Sequence, residues 1–438
     1  MIPAKYRGSP LRCITGSGAQ AAASRLARIR RDDTRVKAWV ALDEQLAVVE
    51  AERLDAELEA QGRSLGPLHG MSVGVKDNID VAGFPTRAGS RSRSEIAAVS
   101  RDAAVVTMLR EAGALILGKT ATTEFAYRDP AGTRNPYDLR HTPGGSSSGS
   151  AAAVAAGMVP IALGTQTAAS VCRPAAYCGI ASFKPTYQTV PMTGVLPLAQ
   201  SFDTIGFFAR HVIDLIGLST IVCRRDETTS PETSMGPREP VLAVPESSFY
   251  PGAPEPMLEF LAATVRHLAA GGVRIETISQ PFGAAKILKM HRTVMLGEMA
   301  ANYASLLARP DLLGWQFREA LEQGCEFSGA QIKDARHALR AARDQLWRKL
   351  TGFDAILLLP VPEPAPIGLG STGDQRLIAP WTAMQGPLVT MPVRLAGNGL
   401  PLSIMLAADP HADQRLLGVA AAMQPRLDRL PEVAPGFD

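Results

Sequence analysis

Three places along the 438-residue chain carry side chains suited to acyl transfer. One is Lys76, in the string GVKDNID. Another is the turn Gly144-Gly145-Ser146-Ser147-Ser148. The third is the turn Thr167-Ala168-Ala169-Ser170, reached through the small-residue stretch AAAVAAGMVPIALG. A serine hydroxyl attacks a carbonyl only when a base removes its proton. Histidine is the common base, but the seven histidines form no recognisable arrangement, and neither G-x-S-x-G nor H-E-x-x-H occurs. A lysine is left. Its ammonium becomes a base only when its pKa falls well below about 10.4, and burial at the end of an apolar strand has that effect. Lys76 follows Met71-Ser72-Val73-Gly74-Val75, a suitable setting. A serine of the 144–148 turn can bridge this amine to a nucleophile. The backbone N–H groups of residues 167–170 can converge on one point as an oxyanion hole. Each part also has a plainer reading, since GGSSSGS suits a flexible or capping turn and an interior lysine is often snorkelled or ion-paired.

The elements that must position these groups read as an alternation of helices and strands. Helical periodicity covers residues 21–36 and 46–62, both with charged outer faces. Residues 71–75 form a short β-prone run. A helix is expected over 100–113, with Ser100 or Asp102 as its cap, and a buried strand over 114–118. Residues 148–157 make a helix short in side chains, and 158–163 a strand. Helices follow at 257–271, 291–307 and 331–350, strands at 353–359, 388–393 and 402–406, and a closing helix at 413–423. The polar, proline-containing stretch 223–240 reads as a surface connection, and 360–368 as a proline-rich loop. This alternation argues for an α/β sheet with parallel segments.

Composition narrows the class. The chain is 46% hydrophobic and 20% charged, with 45 Lys and Arg against 42 Asp and Glu. A net charge of +3 without a concentrated basic stripe argues against nucleic-acid binding. Five cysteines, Cys13, Cys172, Cys178, Cys223 and Cys325, form no CxxC pair, which speaks against a zinc site or a disulfide framework. No metal site is expected. The longest apolar stretch, 151–163, is too short to span a bilayer, and the first residues lack a signal-peptide core, so a soluble cytoplasmic protein is expected.

The strings GVKDNID, TRNPYD, GGSSSGSAAAVAAGMVPIALGTQT, SVCRPAAYCGIASFKPT and SFDTIGFFAR occur in the order found in the amidase signature family. FDAILLLPVPEPAP and GLPLSIMLAADPHADQRLLGVAAAM extend the resemblance to roughly residues 10–425. The resemblance implies a single α/β/α domain with a large central mixed, twisted β-sheet covered by helices on both faces. Residues 1–65 would be an N-terminal helical segment packed on a 66–438 core. It further implies Ser170 as nucleophile, Ser146 as proton relay and Lys76 as general base. A cis peptide would join Gly145 to Ser146, and the N–H groups of Thr167, Ala168, Ala169 and Ser170 would hold the oxyanion. Asp77, Asn78 and Asp203 are read as hydrogen-bonding supports. No cofactor is implied.

Where the family carries Asp-Thr-Gly-Gly-Ser, this chain has Gln166-Thr167-Ala168-Ala169-Ser170. If either alanine sits where φ must be positive, the turn is strained. The expected function is an amidohydrolase of a small linear amide. The alternatives are a weakened scaffold, or membership of a multi-subunit amidase or amidotransferase complex. By the same resemblance, Tyr127, Arg128, Asp129 and the segment Trp381–Gln385, with Trp381 foremost, are candidate substrate contacts. The partner is a small-molecule amide, with a homodimer or a small partner subunit left open. The glutaminase subunits of tRNA-dependent amidotransferases carry DTGGSIRxPA and a different segment before the serine turn. On those two segments the likeness to them is the weaker one.

Overall fold

Strands whose residues are buried on both faces read as apolar runs, and those that carry the site do so between the polar residues at their ends. The computed structural model describes residues 17–223, 239–427 and 430–437. Among them, β1 (Trp39–Leu42), β2 (Ser72–Lys76), β3 (Leu115–Thr120), β4 (Ile161–Gln166), β5 (Ala181–Lys184) and β6 (Thr204–Ala209) build one half of a sheet. The other half is β7 (Val241–Pro245), β8 (Arg274–Ile278), β9 (Ala355–Leu358), β10 (Leu388–Leu395) and β11 (Pro401–Ala407). The eleven strands form one sheet in the order β1-β3-β2-β4-β6-β5-β10-β11-β9-β7-β8. Pairing is mixed. β3, β2 and β4 run parallel, as do β8, β7 and β9, while β4–β6, β5–β6, β5–β10 and β10–β11 are antiparallel. Every residue of β2, β3, β4 and β6 is buried beneath flanking helices. This is a single α/β domain around a large mixed sheet.

Local chemistry sets the helix ends. Asp43 caps Glu44–Gln61 by accepting from Leu46 N, and Gly62 ends it in the left-handed region at φ 61°. Ser328 and Gln331 form a capping box at the start of Gly329–Lys349. The helix Ser148–Ala155 is wholly buried. A Cβ on Gly149 would lie 2.2 Å from Ala38 O and 2.3 Å from Ala121 N, so only glycine lets this helix approach the sheet so closely.

Several elements depart from the sequence reading. The helix expected over 100–113 is confined to Ala104–Glu111, and neither proposed residue caps it. Asp102 instead accepts from Ala82 N at 2.8 Å and pairs with Arg110, while Ala103 N and Ala104 N are drawn to Asp80 O and Thr193 O. Tertiary hydrogen bonds have replaced a local cap. The strand expected at 158–163 begins at Ile161 and continues to Gln166, because its polar end runs into the site. Strands β5 to β8 and the helices Val212–Val222 and Trp315–Cys325 are not in the sequence reading. The N-terminal segment read as helical also contributes β1, the edge strand paired to β3. Of the connection read at 223–240, residues 224–238 lie outside the described residues, as does Cys13. Among the described residues no helix is long and apolar enough to cross a membrane.

Candidate active site

Lys76 is the last residue of β2 and is fully buried. Its Nζ lies 2.8 Å from Ser146 Oγ, 2.8 Å from Thr165 Oγ1 and 3.4 Å from Thr165 O. Burial pushes its pKa well below that of an ordinary lysine, and the charge of Asp203 opposes the shift. The strand end is anchored on both sides. Asp77 pairs with the buried Lys119 at 3.0 Å, and Asn78 Nδ2 donates to Thr165 Oγ1 at 3.1 Å.

Ser146 follows a cis peptide bond from Gly145. The turn is held from outside its own segment. Thr123 N donates to Ser146 O at 3.2 Å. The buried Arg173 guanidinium donates to Gly145 O at 2.7 Å, Thr372 Oγ1 at 2.9 Å and Gly373 O at 2.6 Å. Burial lowers the Arg173 pKa to about 10, with Arg128 adding to the shift and Tyr177 opposing it. Gly144 sits at φ +81°, and a Cβ there would be 2.9 Å from Pro174 Cα, so the turn requires glycine.

Ser170 stands beside this turn: Ser147 N donates to Ser170 O at 3.3 Å. Its hydroxyl makes no hydrogen bond among the described residues, and 6% of the residue remains exposed. The N–H groups of Ala168, Ala169 and Ser170 likewise have no partner among the described residues, while the rest of the loop is tied down. Thr382 Oγ1 donates to Ala168 O at 2.5 Å and accepts from Gln166 Nε2 at 2.9 Å. Gln166 Oε1 accepts from Val171 N at 2.7 Å and Cys172 N at 2.9 Å. Thr167 Oγ1 donates to Asp203 Oδ1 at 2.5 Å, and Asp203 Oδ2 accepts from Leu198 N and Ala199 N. Burial pushes Asp203 up to about 7. His291 Nε2 meets Thr167 O at 2.8 Å, and burial pulls this imidazole down to about 4. A carbonyl only accepts, so Nε2 carries the proton of a neutral ring.

Neither Ala168 nor Ala169 has a positive φ. The strain that would follow from alanine in place of glycine is therefore absent, and with it the physical reason to expect a disabled loop. Cys172 and Cys178 are buried free thiols. Burial pushes Cys172 up to about 11 and Cys178 further still, which suits packing rather than nucleophilic work.

The expected substrate contacts divide. Asp129 is committed elsewhere: its carboxylate accepts from Gln316 N at 3.2 Å and Phe317 N at 2.8 Å, capping the helix Trp315–Cys325. Trp381 is 1% exposed and packs against Phe249, Phe282 and Trp347, so it is a core residue. The neighbouring Thr382 is the one that reaches the loop. Tyr127 is buried with its ring edge-on to Phe317 at 6.4 Å, and Arg128 lies over the Tyr127 ring at 5.5 Å. Thr165, Gln166 and His291 are not marked as site residues by the sequence reading, whereas Thr382 falls inside the segment Trp381–Gln385 that the resemblance implies. The polar end of the 158–166 run hints at the first two. Nothing local marks His291, which arrives from a distant segment.

The α/β scaffold thus brings together a buried lysine–serine pair and a serine loop whose N–H groups have no partner among the described residues. The family model described as Amidase matches residues 20–417, and the chain belongs to the amidase signature family. A glutamyl-tRNA(Gln) amidotransferase subunit from Symbiobacterium thermophilum is 32% identical, over 93% of each chain. A crystal structure of an amidase superposes with a TM-score of 0.84 at 30% identity, covering 94% of this chain and 97% of that one. The native peptide amidase of Stenotrophomonas maltophilia gives 0.81 at 27% identity, over 97% and 96%. The weaker likeness expected to amidotransferase subunits rests on two local segments. Over the whole chain, such subunits are among the relatives found.

Proposed function

We propose that the protein is a cytoplasmic amidohydrolase that cleaves the C–N bond of a linear carboxylic amide. The observation that carries this reading is Lys76 Nζ, fully buried, with a lowered pKa, 2.8 Å from the Ser146 hydroxyl. As a neutral amine, Lys76 accepts the Ser146 proton while Ser146 takes that of Ser170. Ser170 Oγ then bonds to the amide carbonyl carbon. The N–H groups of Ala168, Ala169 and Ser170, with Thr167 beside them, hold the resulting oxyanion. Collapse breaks the C–N bond, and the relayed proton leaves on the amine or ammonia. Water then attacks the acyl-enzyme along the reverse path, releasing the carboxylate and restoring Ser170.

The test is ammonia or amine release across aliphatic, aryl and amino-acid amides, with Ser170→Ala as control. Release that persists in Ser170→Ala rules the mechanism out. Labelling of Ser170 by a fluorophosphonate checks the nucleophile without needing the substrate.

A second reading is favoured by the amidotransferase relative at 32% identity over 93% of the chain. Here the same hydrolysis would supply an amide-transfer step within a complex. Co-purification of a partner, and amide release that depends on it, would select this reading.

A further inference from the structure

A planar trans peptide unit points its C=O and its N–H in opposite directions, so holding the carbonyl aims the amide. Among the described residues the one cis bond is Gly145–Ser146, and the loop before Ser170 is trans throughout. Three consecutive carbonyls of that loop are each held. Thr167 O accepts from His291 Nε2 at 2.8 Å, Ala168 O from Thr382 Oγ1 at 2.5 Å, and Ala169 O from Arg173 N at 2.9 Å. The amides in the same three peptide units are those of Ala168, Ala169 and Ser170, which have no partner among the described residues. Each bond accepted on one side thus presents a free donor on the other.

The three holds differ in origin. Arg173 N belongs to the helix Cys172–Cys178, which follows the loop directly, so that bond comes with the local backbone. Thr382 is shared with Gln166 Nε2. His291 is buried at 1% exposure and has no part in the proton relay, and among the described residues Thr167 O is its one hydrogen-bond partner. Its ring packs on Phe202 at 4.3 Å. The helix that carries it, Ala284–Tyr303, also grips the segment before β6. Glu298 accepts from Ser201 N at 2.8 Å, and Asn302 Nδ2 donates to Leu198 O at 3.2 Å. Residues i, i+7 and i+11 share one helix face, so His291, Glu298 and Asn302 line a single edge. The segment held there ends at Asp203, which takes the Thr167 hydroxyl. Thr167 is thus tied twice to one support, by its carbonyl directly and by its hydroxyl through Asp203.

We propose that His291 is a positioning residue for the reaction, its Nε2–H holding the Thr167–Ala168 peptide so that the Ala168 N–H faces the developing oxyanion. The proposal rests on the amidohydrolase reading and adds to it a residue outside the lysine–serine relay. No other donor reaches Thr167 O among the described residues, so without the imidazole this peptide can turn and carry its N–H away from the hole.

The test separates the donor from the ring. His291→Phe keeps an aromatic side chain against Phe202 and removes the N–H. His291→Gln offers an amide N–H at similar reach. An oxyanion exists only beyond the ground state, so losing its donor lowers kcat and spares KM. Outright loss of one donor costs about 10²–10³ in kcat, and loss of its brace should cost about 10- to 100-fold. His291→Phe should show that fall at unchanged KM, and His291→Gln should recover most of it. The rate of Ser170 labelling by a fluorophosphonate should fall and recover in the same order, because the phosphoryl oxygen uses the same donors. Thermal unfolding and near-ultraviolet circular dichroism report the fold of each variant. Where His291→Phe does not fold, His291→Asn, the same amide one methylene shorter, takes its place against His291→Gln. Wild-type kcat and labelling without the donor, a loss carried by KM, or an equal loss with and without the amide donor overturns the proposal. Wild type that labels at Ser170 but releases no amine from any amide would count against the hydrolase reading. The labelling rates of the variants would then decide on His291 by themselves.

Discussion

Thr167 Oγ1 donates to Asp203 Oδ1 across 2.5 Å, and the same carboxylate opposes the fall in the Lys76 pKa. One buried acid thus holds the loop that precedes Ser170 and tunes the amine behind Ser146. Asp203→Asn keeps the shape but loses the charge and one of the two acceptor oxygens. Lys76 should then lose its proton more easily, moving the acidic limb of the kcat/KM profile to lower pH. The variant should also change stability with a definite sign. Asp203 is raised from 3.8 to about 7 on folding, so its contribution is full below about pH 4 and lost as pH rises through 7. Urea unfolding between pH 4 and 8 should show the wild type weakening relative to Asp203→Asn. Parallel curves would count against a buried, shifted carboxyl.

Lys76→Met should abolish turnover while keeping the fold, because a flexible apolar chain of similar length fills the same buried space. The sign for lysine is opposite to that for Asp203. Its folded pKa is depressed, so the unfolded chain binds the extra proton, and wild-type stability rises with pH from the lowered value toward about 10.4. The difference between wild type and Lys76→Met should therefore grow in favour of the wild type across that window. Unfolding free energies at a series of pH values check this, and a flat difference would mean that Lys76 is not desolvated.

Ala169→Gly should not improve the enzyme. Neither alanine occupies the left-handed region, and Ala169 is fully buried in the core. Glycine relieves no strain there, removes a packed methyl and loosens the chain. The expected cost is about 1 kcal/mol of stability, with a fall in kcat. Thermal unfolding and steady-state rates test it, and a gain in kcat would show a hidden constraint on the loop.

Thr382→Val should lower kcat with little change in KM. It strips the donor from Ala168 O and the acceptor from Gln166 Nε2, leaving two buried polar groups unpaired at about 1–3 kcal/mol each. If the loop needs this brace, kcat falls while the circular dichroism spectrum is unchanged. An unaltered kcat would make Thr382 a packing residue only.

Asp129→Ala should behave as a lost helix cap, costing about 1 kcal/mol. The melting temperature should drop. Asp129→Asn, which retains an acceptor, should recover most of the loss. A variant of unchanged stability but raised KM would return Asp129 to the substrate contacts.

Much of this was legible in the chain. Lys76 after an apolar run, a glycine–serine turn and a small-residue turn ending in Ser170 are local patterns, and local patterns survive in one dimension. The helices read at 46–62 and 331–350 persist as Glu44–Gln61 and Gly329–Lys349, each starting two residues earlier because Asp43 and Ser328, which the sequence reading does not mark as caps, set their first turns. Asp102 shows the limit, since as a cap it was displaced by its contacts with Ala82 and Arg110. Tertiary structure alone decided which groups enclose the serine loops. Thr382 reaches Ala168 across 214 residues and His291 reaches Thr167 across 124, and no periodicity records such meetings. It also decided the backbone angles at Ala168 and Ala169, and the burial that strips Lys76 of water. The sequence determined which functional groups are present. Desolvation and long-range hydrogen bonds, which exist only once the sheet has closed around them, decided how those groups are charged and where they point.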